Sequence, residues 1–212
     1  MPVRRIPRNY LGVTGRVHTR HSEELQEFES LQEKDYVLLL GPDDDVLSIE
    51  VQPVRIPVKG VRNGYVPDVL VHYRKELGRP SELTEVKTRA DFETNKQKYE
   101  PKFRAAEAYC AERGWIFIKK SQEDFPHQRL KNIKYLRGFL RHPPDTAASS
   151  RLLAWLAEQG ESSTVGELRE AHENGSGEML HHFWTCVAHR RILLDLDAPM
   201  ENDAWIIPGT AP

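Results

Sequence analysis

Apolar and polar positions follow two different periods along this chain, and the switches between them predict its elements. Over 22–40 (SEELQEFESLQEKDYVLLL), Leu25, Phe28, Leu31 and Leu39 recur at helical spacing, with Tyr36 and Leu40 on the flank and acids between them. This predicts a single helix capped by Ser22. GPDDD (41–45) is a turn. Residues 46–58 (VLSIEVQPVRIPV) alternate and read as extended, interrupted at Pro53, and KGVRNG (59–64) has the chemistry of a hairpin turn. Two more strands, VPDVLVHY (66–73) and SELTEVKTRA (81–90), flank a loop around Gly78-Arg79-Pro80. A helix is expected over 94–114, with Phe103, Ala106, Tyr109 and Cys110 on one face and Gly114 at its end. WIFIKKS (115–121) is a strand. FPHQRLKNIKYLRGFLRH (125–142) is an amphipathic helix turning Leu130, Ile133, Leu136 and Leu140 inward and Lys131, Lys134, Arg137 and Arg141 outward.

That order predicts an α/β domain, a mixed sheet with helices packed on it, because the last strand follows a crossover helix. RHPPDTAASS (141–150) has linker composition. Beyond it, helices are expected in RLLAWLAEQG, STVGELREAHE and GEMLHHFWTCVAHRR, followed by short strands in ILLDLD and AWIIP. Three helices and a wing form a winged-helix pattern. The expected plan is an arm over 1–22, an α/β domain over 23–142, a linker over 143–150 and a small winged-helix-like domain over 151–212.

Composition narrows the class. None of the apolar runs in these 212 residues approaches the ~20 needed to cross a bilayer. The N-terminal stretch is basic and lacks an apolar secretory core. Cys110 and Cys186 are far apart and show no metal-ligand spacing, so a reduced, cytoplasmic setting is expected. The charge is segregated. Residues 1–142 hold 26 Lys and Arg against 21 Asp and Glu, and residues 143–212 hold 4 against 11. Arg4, Arg5, Arg8, Arg16 and Arg20 fall in an acid-free arm suited to phosphate contact. The acidic tail suits a protein partner better than DNA.

The candidate chemistry lies on the two strands after the hairpin. Side chains alternate along a strand, so Glu85 and Lys87 point one way and Val86 points into the protein. With Asp68 beside Glu85 on the paired strand, two carboxylates and one ammonium converge. Such a pair suits Mg²⁺, which takes one or two carboxylates together with phosphate oxygens. A lysine next to the ion can steer or deprotonate an attacking water. The competing reading is a solvated cross-strand ion pair. Against it, Asp68 and Glu85 interrupt runs of Val, Leu and Tyr, where a carboxylate is costly without a compensating cation or donor, and Pro67 breaks the ladder just before Asp68, as at an edge or bulge. These features point to a metal-dependent DNA nuclease.

Four segments, in order, strengthen that reading: the run around Glu33 (ESLQEKDYVLLL), VLSIEVQPV with Gln52-Pro53, VPDVLV, and TEVK. AAEAYCAERGW and RLKNIKYLR continue the series. Together they resemble the TnsA endonucleases, which with TnsB form the heteromeric transposase of cut-and-paste bacterial transposons. The resemblance covers roughly 25–142 and is looser in the tail. It implies a restriction-endonuclease-like fold with a C-terminal winged-helix domain. It also implies a catalytic set of Glu33, Asp68, Glu85 and Lys87, with Glu29 a rival to Glu33 one turn away. Glu33, Asp68, Glu85 and the Val86 carbonyl are the implied metal ligands, for Mg²⁺ or Mn²⁺. Gln52, Lys134 and Arg137 join the arm as candidate nucleic-acid contacts, although Gln52 also suits a structural role at a strand end, and His72 reads as structural. The implied function is 5′ cleavage at transposon ends with TnsB, regulated through a contact between the C-terminal domain and the ATPase TnsC. The alternatives are a non-catalytic adaptor on a nuclease-like fold, or a stand-alone restriction or repair nuclease. His181, His182, Cys186 and His189 could suggest zinc, but the absence of fixed-spacing ligand pairs favours ordinary packing.

Overall fold

The computed structural model describes residues 15–17, 21, 26–28, 30–160, 162–172 and 177–209. Two compact units divide the chain, Met1–Phe125 and Pro126–Pro212. Among the described residues no helix is long and apolar enough to cross a membrane.

The first unit begins with a short antiparallel pair, β1 (Gly15–Val17) and β2 (Gln26–Phe28). Helix α1 (Leu31–Leu40) follows, then β3 (Val46–Val51), β4 (Ile56–Val58), β5 (Val61–Tyr65), β6 (Val69–Tyr73) and β7 (Glu82–Lys87). Helices α2 (Arg89–Thr94) and α3 (Lys96–Ala111) lead to β8 (Ile116–Ser121). The main sheet has the order β3-β6-β7-β8, antiparallel except for the parallel pair β7–β8 reached through the helical crossover. This is the mixed α/β sheet flanked by helices that the pattern predicted.

Several boundaries differ from expectation. The helix expected from residue 22 starts only at Leu31. The Ser30 hydroxyl accepts from Glu33 N at 3.2 Å and donates to Glu33 Oε1 at 2.9 Å. This reciprocal pair fixes the helix start locally. Phe28 lies in β2 and Leu31 is half exposed, so the apparent apolar stripe spans two elements. Ser22 and Glu29 fall outside the described residues. In the hairpin, the turn shrinks to Lys59-Gly60 and residues 61–65 become β5. Gly64 has φ +64°, and a Cβ there would sit 2.6 Å from the Ile56 carbonyl oxygen, so the close β4–β5 approach requires glycine. The expected helix over 94–114 is α3, and an unexpected helix, α2, precedes it, capped by Thr88 Oγ1 on Asp91 N (3.1 Å) immediately after β7 ends.

Both faces of the sheet are covered. On one, Leu70 and Leu83 pack with Ile56 and Tyr65 of the hairpin and Ala106 and Cys110 of α3. On the other, the Tyr36 hydroxyl of α1 meets Thr84 Oγ1 at 3.4 Å, and its ring stacks on Phe125. Because β6 and β7 are covered on both sides, they read as near-continuous apolar runs.

The second unit contains α4 (His127–Leu136), a 3-10 turn over Arg137–Arg141, α5 (Thr146–Glu158), β9 (Ser163–Thr164), α6 (Val165–His172), α7 (Glu178–Ala188), β10 (Ile192–Leu194) and β11 (Trp205–Pro208). Its three strands form an antiparallel sheet of order β10-β11-β9. Leu152, Leu156, Leu168, Phe183, Ile192 and Ile206 are fully buried. Two expectations change here. The presumed linker already contains the start of α5, with Asp145 Oδ1 accepting from Ala148 N at 2.7 Å and Ala148 and Ser149 buried. And α4, expected with the sheet domain, belongs to this unit. The Asn132 side chain donates to the carbonyls of Leu196 (2.9 Å) and Ala198 (2.7 Å), and Arg129 pairs with Asp197 at 2.9 Å. Arg129, Lys131, Lys134, Arg137 and Arg141 therefore sit in the second unit, which is less acidic than residues 143–212 alone.

Candidate active site

Strand pairing builds the centre. Val69 stands opposite Thr84, so the next pair outward is Asp68 and Glu85. Asp68 N donates to Thr84 O at 3.1 Å and Asp68 O accepts from Gln52 N at 2.8 Å, tying β3, β6 and β7 together at one end of the sheet. The pairing places β6 in the interior of the sheet, not at an edge. Pro67 is tolerated because it precedes the strand. The site lies at a strand end, not on an edge strand.

Asp68 Oδ2 accepts from Val86 N at 2.7 Å and from Lys87 Nζ at 3.0 Å. Lys87 Nζ also lies 3.1 Å from Glu85 Oε1 and donates to the Val86 carbonyl at 3.0 Å. Glu85 Oε2 accepts from the Tyr65 hydroxyl at 2.8 Å. Glu85 is 4 % and Asp68 7 % exposed, so these carboxylates are largely withdrawn from water and depend on their partners. Burial and then the neighbouring Asp68 charge push Glu85 up to about 7, against the pull of Lys87 and the Tyr65 hydroxyl. For Lys87, burial acts to lower the pKa, but the Asp68 and Glu85 carboxylates outweigh it and hold the ammonium above its ordinary range. Burial, then Glu85, raises Tyr65 strongly, so it stays a neutral donor.

One cation is thus held by three oxygens: Asp68 Oδ2, Glu85 Oε1 and the Val86 carbonyl. These are the oxygens expected to face a metal, and as hard donors they fit Mg²⁺ or Mn²⁺. The ammonium shows that a positive centre is accommodated among them.

Glu33 does not complete a triad of acids. Among the described residues, no three or more His, Cys, Asp or Glu side chains come together to hold a metal. The reason is topological. Tyr36, on the same helix, reaches Thr84, whose side chain alternates to the face opposite Glu85. Glu33 is nonetheless buried, and its charge contributes to the raised Lys87 pKa. Of the three acids expected around one ion, the structure brings Asp68 and Glu85 together.

The other predicted contacts are dispersed. Arg4, Arg5, Arg8 and Arg20 lie outside the described residues, as does the side chain of Arg16. Lys134 and Arg137 lie in the second unit. Gln52 is only 5 % exposed. His72 bonds Ser81 Oγ at 2.7 Å and meets the Trp115 ring edge-on, a packing role. In the second unit Cys186 is buried against Ser149 Oγ and His189 meets the His142 carbonyl, in keeping with packing.

Two residues escaped the sequence reading. Tyr65 is the hydroxyl partner of Glu85, and Lys102 lies over the rings of Tyr65 and Tyr99 at 5.9 and 5.6 Å. Exposed Lys98 and Lys119 extend this basic, aromatic surface, with their ammonium groups over Tyr99 and Phe103. The only signal in the sequence was the run of lysines at 96, 98 and 102 on the polar side of a helix.

No curated protein matches the chain. Residues 43–121 match the family described as TnsA-like endonuclease N terminal. That span runs from the turn before β3 through β8 and includes Asp68, Glu85 and Lys87, whereas Glu33 and the second unit lie outside it. On this match, residues 43–121, with their mixed sheet and the acid pair at its strand ends, are similar to a TnsA-like endonuclease N-terminal domain.

Proposed function

We propose that the protein is a Mg²⁺-dependent DNA endonuclease subunit of a heteromeric transposase, cutting the 5′ strands at transposon ends together with TnsB and under the control of TnsC. The observation that carries this reading is the cage of Asp68 Oδ2, Glu85 Oε1 and the Val86 carbonyl around a single positive charge.

Asp68, Glu85 and Val86 O would hold the divalent ion. When bound, the ion supplies charge stabilisation for the attacking and leaving oxygens of the phosphodiester. Lys87 orients the attacking water and offsets charge as the water oxygen bonds phosphorus and the scissile P–O bond breaks. Its raised pKa makes it a fixed cation, so the water's proton passes to solvent or to the leaving oxygen. Tyr65 holds Glu85 by one oxygen and leaves Oε1 turned towards the cation. Glu33 adds negative charge beyond the pair. Lys98, Lys102 and Lys119 supply contacts to the DNA backbone, which position without reading sequence. The basic arm would add to this. The second unit, with the winged-helix order of elements, is the candidate contact for TnsC.

The decisive experiment is strand-specific cleavage of end-bearing plasmid DNA by the purified chain with TnsB, in Mg²⁺ and in chelator. Cleavage of the 5′ strand that needs Mg²⁺ and disappears with Asp68→Ala is the expected result. Cleavage retained in chelator, or by the variant, overturns the reading. Cutting without TnsB would identify a stand-alone nuclease.

A further inference from the structure

The backbone of Gln52 is left-handed, with φ +50°. Glutamine adopts this conformation only against a steric penalty between its Cβ and the following carbonyl, and such residues persist only where their surroundings require it. Gln52 follows β3, and in the β3–β6 register it stands across from Asp68, to whose carbonyl its N–H donates at 2.8 Å. Its side chain is buried, and among the described residues the amide oxygen Oε1 has no hydrogen-bond partner. A buried acceptor without a donor is destabilising. Strain and an unsatisfied oxygen therefore coincide on one residue, next to the acid pair.

A purely structural role accounts poorly for this combination. The N–H bond to Asp68 needs no side chain, and asparagine or glycine would adopt the conformation more readily. What does demand a glutamine is a donor that arrives with a ligand. Hydrated Mg²⁺ and Mn²⁺ keep several waters, each with two donor hydrogens.

We propose that Gln52 is a positioning residue of the cation site: its amide oxygen accepts a hydrogen bond from a water molecule carried by the divalent ion that Asp68 and Glu85 hold. This rests on the nuclease reading above and extends it to a residue outside the acid–lysine set. Outer partners of this kind alter metal affinity by roughly 10–100-fold.

The test uses the full chain and Mn²⁺ alone, with affinity measured calorimetrically and stability measured in chelator. Gln52→Gly should keep or raise stability, because it removes strain and the orphaned oxygen, yet weaken Mn²⁺ binding at least tenfold. Gln52→Glu, which restores an acceptor of the same reach, should bind within about threefold of the parent. Gln52→Asn tolerates the backbone but withdraws the oxygen, and should behave like the glycine variant. It decides the question if Gln52→Gly fails to fold. Parental Mn²⁺ affinity in a folded glycine or asparagine variant overturns this proposal and leaves the nuclease reading intact. A parent protein that binds no Mn²⁺ overturns both.

Discussion

Lys87 Nζ stands 3.0 Å from Asp68 Oδ2, in a site where neither side chain is more than a quarter exposed. Removing one partner of such a pair strands the other's charge, which costs about 3–5 kcal/mol. Lys87→Met should therefore destabilise the first unit by about 3 kcal/mol at pH 8 in chelator. Mn²⁺ should stabilise this variant more than the parent, since a divalent ion can take the place of the ammonium. Thermal and urea melts with and without Mn²⁺ measure both effects. A variant as stable as the parent in chelator would show that the pair does not matter to the fold.

Asp68 has two tasks, and two substitutions separate them. Its Oδ2 accepts the Val86 N–H at 2.7 Å. Asp68→Asn can keep that bond through its carbonyl oxygen while losing the charge. Asp68→Ala loses both and leaves a buried N–H unsatisfied, at about 1–3 kcal/mol. Both variants should lose Mn²⁺ binding and cleavage, but only the alanine variant should show the extra loss of stability. Equal melting of the two would mean the Val86 bond contributes nothing.

Glu85 makes stability depend on pH. Its folded pKa of about 7 lies above the ordinary 4.5. An acid raised in this way contributes stability that is fully present below pH 4.5 and is lost as pH rises through about 7, because the unfolded chain releases the proton first. The whole shift corresponds to about 3 kcal/mol. In chelator, Glu85→Gln should remove this component of the stability decline between pH 5 and 8, and should be more stable than the parent at pH 8. Denaturant titrations across that range test it, and an unchanged slope in the variant would contradict the assignment. With saturating Mn²⁺, the parent's decline should flatten, because the ion stabilises the carboxylate.

Helix α4 sets the border between the two units. Asn132 satisfies the carbonyls of Leu196 and Ala198, and Leu130, Ile133 and Leu136 are buried. A fragment spanning 126–212 should fold cooperatively, while one spanning 143–212 should not. In the longer fragment Asn132→Ala should cost about 1–3 kcal/mol by orphaning the two carbonyls. Circular dichroism melts of the two fragments are the direct measurement, and cooperative folding by 143–212 would restore the border at the linker.

What the sequence determined by itself was local or periodic. Alternation placed β6, β7 and β8 to within three residues, fixed the start of β3, and put Glu85 and Lys87 on one side of Val86, because strand geometry leaves side chains no third direction. Helical spacing found α3 and the helices of the second unit. The TEVK run gave the acid and the amine their order. The apolar stripe overstates α1 because the Ser30–Glu33 cap decides where that helix begins, and the turn-like composition of 61–64 conceals a strand because it includes Gly64.

The tertiary structure alone decided which long-range partners meet. Pairing register brought Asp68 beside Glu85 and tied Gln52 to Asp68 through the backbone. Tyr65 reached Glu85 from a hairpin twenty residues away. Helix α4 went to the second unit because carbonyls more than sixty residues downstream needed its asparagine. Such choices depend on where unsatisfied polar groups and apolar faces end up after the chain has folded back on itself, and no window along the sequence contains that information.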